Sequence, residues 1–412
     1  IPIPKELKSV PTITANVPLL DGVFEISIDG QAITAVHPST QTTNLYVGPA
    51  LFDVQVNGYG GRTCRLAGPE AQDALVWIAR LMHELGVGWW MPTITTSTPE
   101  VLETAFACCG RALDEDRALA ASIPGLHLEG PYISPVDGPR GAHRLECVRP
   151  PDWDEFCRLQ DASGGRIRLV TVAPEVDGAI DFIERCVGTG VVVGMGHTNL
   201  DREALLRAVD AGATLSTHLG NGAHDQLQRH NNYLWYQLAS RQSFASFIAD
   251  GHHLPQECLY SMVHAKGIER SILVSDTVLL GGMSPGRYQV YDHEIEMLPS
   301  GRIVIPGSPN LAGSASNLLE CTANAIRMAG LSHADGWRLA STNPARLMGL
   351  DDRLGIAEGK EATLTVYKCP DGEDGANFDV VETWVAGTKV FDARTSERAV
   401  LPDAPLDASM PI

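Results

Sequence analysis

The sequence predicts an α/β fold: a (β/α)8 barrel of the TIM type with a small β-sandwich built from both chain ends. Three observations carry that expectation. Eight short β-rich runs recur between residues 51 and 276, most of them apolar on both faces, as strands of a parallel sheet covered on both sides must be. The spacers between the runs include segments of helical periodicity, and ~250 residues is usual for such a barrel. Outside that span the chain changes to short alternating strands and tight turns. A doubly wound open sheet is the competing architecture, weakened because no GxGxxG turn follows the first run.

In chain order, residues 17–49 begin VPLLDGVFEISIDGQAITAVHPST, alternating strands broken by Asp-Gly turns. The eight runs follow: LFDVQVNG (51–58), GWWMPTIT (88–95), IPGLHLEG (123–130), IRLVTVAP (167–174), VVVGMGHT (191–198), ATLSTHLG (213–220), FASFIADG (244–251) and SILVSDT (271–277). Residues 69–86 read as a helix, with Pro69 near its start, apolar residues three and four apart, and Gly86 as a stop. Residues 201–212 repeat the logic with Asp201 as N-cap and Gly212 as C-cap. Residues 311–349 predict two further helices. EATLTVYK and VVETWVAGTKVFDA, within 353–393, return to the strand style of the N-terminal end. The expected division is therefore 1–49 with 350–412 as the β-sandwich and 50–349 as the barrel.

Of the 412 residues 44% are hydrophobic and 20% charged, ordinary for a chain with a sizeable core. The formal net charge of -19 speaks against nucleic acid and against anionic membrane surfaces, both of which call for clustered Lys and Arg. It leaves room for a small anionic substrate, which one Arg can serve. No apolar run reaches the ~20 residues of a membrane span, and IPIPKELKSV lacks the apolar core of a signal peptide. The nine cysteines are scattered without CxxC spacing and read as reduced thiols of a cytoplasmic protein.

Active-site groups of such barrels sit at the C-terminal ends of the strands. Polar residues late in the runs are Gln55 and Asn57, His127 and Glu129, His197, His218, Asp250 with His252 and His253, and Asp276. A lone histidine there is more often a hydrogen-bonded core residue than a ligand, and Asp276 alone could cap a helix. Together they carry more. One carboxylate and two imidazoles, Glu129, His197 and His218, form a known ligand set for a catalytic zinc with a position left for water. Asp276 would approach the same place as a general base. His127 shares a face with Glu129 but lies a layer deeper, a supporting or simply buried residue.

The motifs in combination resemble the N-acetylglucosamine-6-phosphate deacetylase family of the amidohydrolase superfamily. They are GPALFDVQVNGYGG, GLHLEGPYISP, RGAH, GHTN, AGATLSTHLGNGA, IADGHHL, LVSDTVLLGGMSPGRY, LAGSASNL and STNPARLMGLDDRLGIAEGKEATLTV. The resemblance implies a barrel with a small β-sandwich, and a hydrolase that releases acetate from N-acetylglucosamine 6-phosphate. It implies Glu129, His197 and His218 as metal ligands, Asp276 as the catalytic aspartate and His143 as a substrate-contacting histidine at the reacting amide. It implies Asn221, Gly222 and His253 at the sugar phosphate. It also implies Arg229 reaching the ligand of a neighbouring subunit, hence a homodimer. Many amidohydrolases carry His-x-His at the first strand and bind two metals. Here Gln55 and Asn57 stand instead, poor ligands beside imidazole. The expectation is one divalent ion, zinc first, with iron(II) or another divalent ion compatible.

The chain departs from the family after His218, where NGAHDQLQRHNNYLWYQLA replaces the family's Asn-Ala-Met and Arg-Glu-Pro-Gly elements. Tyr233 and Trp235 there are either a packed helix start or a sugar-stacking surface. The alternative substrates are the galactosamine isomer, an unphosphorylated sugar, or another N-acyl compound. A second class, the two-metal cyclic-amide hydrolases, is disfavoured because TVAPE brings no lysine to the fourth strand. A third, a catalytically silent binding protein, is disfavoured by retention of all four central residues.

Overall fold

The computed structural model describes residues 10–65, 67–68, 71–290, 293–307, 311–370 and 377–405. Eight parallel strands form one sheet. They are β1 (Leu51–Val56), β2 (Val87–Thr95), β3 (Leu126–Glu129) and β4 (Ile167–Val172), then β5 (Val192–Met195), β6 (Leu215–Ser216), β7 (Phe244–Ile248) and β8 (Ser271–Val274). Each pairs with the next in parallel. The ring closes just beyond β8. There Asp276 N–H donates to Gln55 O at 3.1 Å, Asn57 N–H donates to Thr277 O at 2.8 Å, and Val56 bridges Thr277.

Between the strands run α1 (Ala71–Glu84), α2 (Pro99–Glu115), α3 (Trp153–Ala162), α4 (Ala179–Gly188), α5 (Arg202–Asp210), α6 (Tyr233–Ala239) and α7 (Gln256–Lys266). Strand parity sorts the core into two layers. Leu126, Leu128, Val170, Val172, Val193 and Phe247 face outward against the helices. Phe52, Val54, Trp89, Met91, Leu169, Leu215, Ile248, Ile272 and Val274 fill the barrel interior, joined by Ala345, Leu347 and Met348 from a C-terminal helix. That apolar interior runs up to Ile248 and Val274, the last residues of β7 and β8, and the polar groups lie beyond it, where the strands give out.

The expected helix starting at Pro69 begins at Ala71; Pro69 itself lies outside the described residues. Gly86 ends the turn after it at φ 77°. Asp201 caps α5, its Oδ1 accepting Ala204 N–H at 2.8 Å. The C-cap is Ala211, and Gly212 follows at φ 102°. Residues 311–349 hold three helices rather than two: α8 (Leu318–Ala329), α9 (His333–Leu339) and α10 (Thr342–Leu347). The chain breaks at Ser341, whose hydroxyl bonds Trp337 O at 2.6 Å, just ahead of Pro344 and its missing N–H. A three-stranded antiparallel sheet, Gly286–Val290, His293–Met297 and Ile303–Val304, stands between β8 and α8 where no strand was expected.

The chain ends meet in a seven-stranded sheet. Tyr46–Pro49, from the N-terminal side, pairs antiparallel with Leu364–Lys368 from the C-terminal side. Ala362 N–H donates to Gln31 O and Gly387 N–H to Ala362 O, so the sheet folds over its own core of Ile26, Ile28, Ile33, Val47, Leu364 and Val366. Trp337 Nε1–H donates to Pro49 O at 2.9 Å and Thr365 Oγ1–H to Gly86 O at 2.6 Å, joining this sandwich to the barrel. All nine cysteines are free thiols. Among the described residues no helix is long and apolar enough to cross a membrane.

Candidate active site

The polar mouth is assembled where the strands give out. His197, His218 and Asp276 follow β5, β6 and β8, and all three take left-handed backbone, with φ of 49°, 30° and 49°. Residues with a Cβ rarely adopt that conformation, and it concentrates where surrounding structure holds a functional side chain in place. At these positions it ends the strand and swings the side chain over the barrel axis.

Glu129, at the end of β3, is the centre. Its Oε1 lies 2.9 Å from His218 Nε2 and 3.2 Å from His197 Nε2. His143, from the loop after β3, brings its Nε2 to 3.2 Å from His197 Nε2. Ligand atoms of Glu129, His143 and His197 all lie within 4.8 Å of one another. This trio contains His143, while the expected ligand His218 touches Glu129 directly.

Burial opposes the charge on Glu129, but the His197 and His218 imidazoles beside its Oε1 outweigh it and hold the carboxyl well below its usual pKa. For His218 the order is the same: burial disfavours the imidazolium, and the Glu129 carboxylate more than offsets it, so its pKa is raised. Burial and the neighbouring His197 push His143 down to about 3, leaving a neutral imidazole.

These donors fit a metal ion. His197 Nδ1–H donates to Pro139 O at 3.0 Å, so in neutral form His197 turns the lone pair of Nε2 toward Glu129 Oε1 and His143 Nε2. Lone pairs facing a carboxylate inside a buried pocket repel unless a cation lies among them. One carboxylate with imidazole nitrogens is the chemistry a divalent ion takes.

The remaining expected residues fall around this centre. Asp276 accepts Asn57 Nδ2–H at 2.7 Å, and burial together with the Glu129 carboxylate raises its pKa to about 7. Gln55 is buried with its Nε2 unpartnered. Asn221 Nδ2–H donates to His218 O at 3.1 Å. Gly222, at φ 55°, approaches so closely that a Cβ there would sit 2.7 Å from His197 Nδ1. His253 Nδ1 bonds Asp250 Oδ2 at 2.7 Å. Arg229 is exposed on the loop before α6 and meets the site through none of the contacts seen.

His127 has both ring nitrogens matched, Nε2 to Thr171 Oγ1 at 2.9 Å and Nδ1 to Thr93 Oγ1 at 3.3 Å, the satisfied buried histidine of the blander reading. Tyr233 is a buried helix start, and Trp235 stands in solvent with its indole on Arg229 O. Sequence reasoning missed three groups: Thr96, whose Oγ1 bonds His143 Nδ1 at 2.7 Å, the Pro139 carbonyl and Asp53.

A parallel eight-stranded barrel with a buried carboxylate–imidazole cluster at its C-terminal mouth defines a metal-dependent hydrolase of the amidohydrolase class. The chain belongs to the Amidohydrolase family, whose sequence pattern matches residues 56–390. It is 30% identical over 351 residues to N-acetylglucosamine-6-phosphate deacetylase of Vibrio furnissii, covering 85% of this chain and 84% of that protein. It is 29% identical over 342 residues to N-acetylgalactosamine-6-phosphate deacetylase of Escherichia coli O157:H7, covering 82% and 86%. Among solved structures it is similar to a mutant N-acetyl-D-glucosamine-6-phosphate deacetylase from Mycobacterium smegmatis in complex with N-acetyl-D-glucosamine-6-phosphate. The TM-score is 0.82 and the identity 28%, covering 93% of this chain and 99% of that one.

Proposed function

We propose that the chain hydrolyses the acetamide of N-acetylglucosamine 6-phosphate to acetate and the amino sugar phosphate. The observation that carries the reading is the convergence of Glu129, His143, His197 and His218 on one buried point, with Asp276 at the same mouth. In this reading Glu129, His197 and His218 hold one divalent cation, zinc first, iron(II) or another divalent ion being compatible with the same donors. Bound there, such an ion supplies Lewis acidity toward a water and the amide carbonyl.

The chain's own residues do the rest. Asp276 accepts a proton from the attacking water as the water oxygen bonds the acetamide carbon. Asp276, with one oxygen held by the Asn57 amide, is placed to take that proton and give it back. His143, with the Thr96 hydroxyl donating to Nδ1, carries its own proton on Nε2 and offers it to the oxygen that gains charge. Asp276 then protonates the nitrogen as the C–N bond breaks. Gln55 and Asn57 line the site as hydrogen-bonding groups.

Asn221, Gly222 and His253 attend the sugar phosphate, and Arg229 reaches a neighbouring subunit's ligand in a homodimer. Sedimentation at monomer mass would remove that last role. A cavity of about 310 Å3 between the start of α5 and the loop before α6 is lined by Asn199, His224, Asn231 and Tyr236 among others. The protein acts in the cytoplasm in this reading.

The test is acetate release by the zinc-loaded protein from N-acetylglucosamine 6-phosphate, its galactosamine isomer and the unphosphorylated sugars. Release from the first is expected; none from any, with metal bound, rejects the deacetylase. The galactosamine isomer is kept as the second reading because the Escherichia coli relative is named for it.

A further inference from the structure

Simple alternation along β1 leads to a contradiction. Phe52 and Val54 fill the barrel interior, so Val56 should join them and Gln55 and Asn57 should face the helices. Instead Val56 packs in the outer layer with Leu51. Asn57 reaches inward, its amide donating to Asp276 Oδ1 at 2.7 Å. Parity therefore flips within β1, and the register of β1 against β2 shifts between Asp53 and Val56. This is a β-bulge, which re-aims the side chains that follow it.

Asp53 sits at the start of that bulge, fully buried. Its Oδ1 accepts Gln55 N–H at 3.2 Å and, across the barrel seam, Ser275 N–H at 3.3 Å. Ser275 Oγ–H in turn donates to Gln55 O at 3.4 Å, and the next residue is Asp276.

We propose that Asp53 is a positioning residue for the deacetylation: it holds the β1 bulge and the β1–β8 seam, so that Asn57 turns inward and fixes one oxygen of Asp276. Asn57 is then the second positioning residue. Among the described residues it is the only hydrogen-bond partner seen for that carboxyl, so Oδ2 is left for the proton. The inference rests on the deacetylase reading for its kinetics alone. Burial raises the Asp53 pKa to about 7, which agrees with a carboxyl used as a hydrogen-bonding shape more than as a charge.

The experiment compares Asp53→Asn, Asp53→Ala and Asn57→Ala with wild type, reading kcat and KM for N-acetylglucosamine 6-phosphate, zinc per chain, and Asp276 in crystal structures. Asn57→Ala should keep its zinc and its KM within about twofold and lose roughly 100-fold in kcat, the scale of a misplaced reacting group. Asp53→Asn, which retains the acceptor, should stay within about threefold of wild type, while Asp53→Ala loses kcat as Asn57→Ala does. Should Asp53→Ala fail to fold, Asp53→Asn and Asn57→Ala still decide. An unchanged kcat in Asn57→Ala, or a loss confined to KM, overturns the proposal. A wild type that releases no acetate rejects the deacetylase instead. The crystal structures then decide, since Asp276 unmoved in Asn57→Ala overturns the positioning and a displaced Asp276 supports it.

Discussion

At the scale of single residues, Glu129 fixes what its neighbours can be. A buried carboxylate held ionised needs positive charge beside it, and the two histidines that touch it supply that charge only by protonation or by sharing a cation. The structure brings His143 and His218 to this point by different routes, one from a loop and one from a strand end. Their roles separate by metal content. His218→Ala should lose most bound zinc on dialysis. His143→Ala should retain close to one equivalent and lose turnover by about 100-fold or more, as read by elemental analysis beside acetate release. Equal zinc loss in both variants would make His143 a ligand. Asp276→Asn keeps the shape of the carboxyl without its basicity. It is expected to bind zinc normally and to lose roughly 1,000-fold in kcat, and retained turnover would remove Asp276 from proton transfer.

At the scale of elements, the site depends on backbone that departs from the strand. The ladders end at Val56, Glu129, Met195 and Val274, up to several residues short of the runs read from sequence. Residue type marked those runs well, because apolar β-branched stretches are visible locally. Left-handed backbone at His197, His218 and Asp276 has no such mark, since tertiary contacts impose it. The supporting partners were hidden for a related reason. Thr96 lies 47 residues from His143, Pro139 58 from His197 and Asp53 222 from Ser275, and none has a residue type that advertises the partner.

Gly222 shows what this local geometry demands. A methyl group there would press on His197 Nδ1 and on Pro139 O, the two ends of the hydrogen bond that sets the His197 tautomer. Gly222→Ala should therefore weaken zinc affinity by about 10- to 100-fold in a chelator competition, with little loss of helix signal. Unaltered affinity would mean that the loop after β6 yields without disturbing the ring.

At the scale of the whole molecule, the barrel was legible because a parallel sheet writes itself as repeated apolar runs, and the sandwich because its two halves share one style. The hairpin sheet at residues 286–304 was not legible, since it packs against its own small cluster of Leu280, Tyr288 and Met297 and leaves no repeat in the chain. The joint between barrel and sandwich has a measurable consequence. His333, on α9, is buried and bonds Tyr367 of the sandwich through Nε2 at 2.8 Å, and Trp337 stacks on the same Tyr367 at 4.2 Å. His83, at the end of α1, bonds Ser122 Oγ at 2.9 Å, and its carbonyl accepts Thr383 Oγ1–H from the sandwich. Burial lowers both imidazoles from 6.5 to about 4.

The unfolded chain takes up these protons as the pH falls through 6.5, while the folded chain resists until about 4. In that window the unfolded state binds more protons, so stability falls with falling pH. A shift of this size corresponds to roughly 3 kcal/mol per histidine at most. Thermal melting from pH 7 to pH 4 should show a falling Tm. His333→Gln, which cannot titrate, should start lower at pH 7 through its altered contact with Tyr367 and then fall less steeply. Parallel slopes for the two proteins would mean that the joint does not carry the acid sensitivity of the fold.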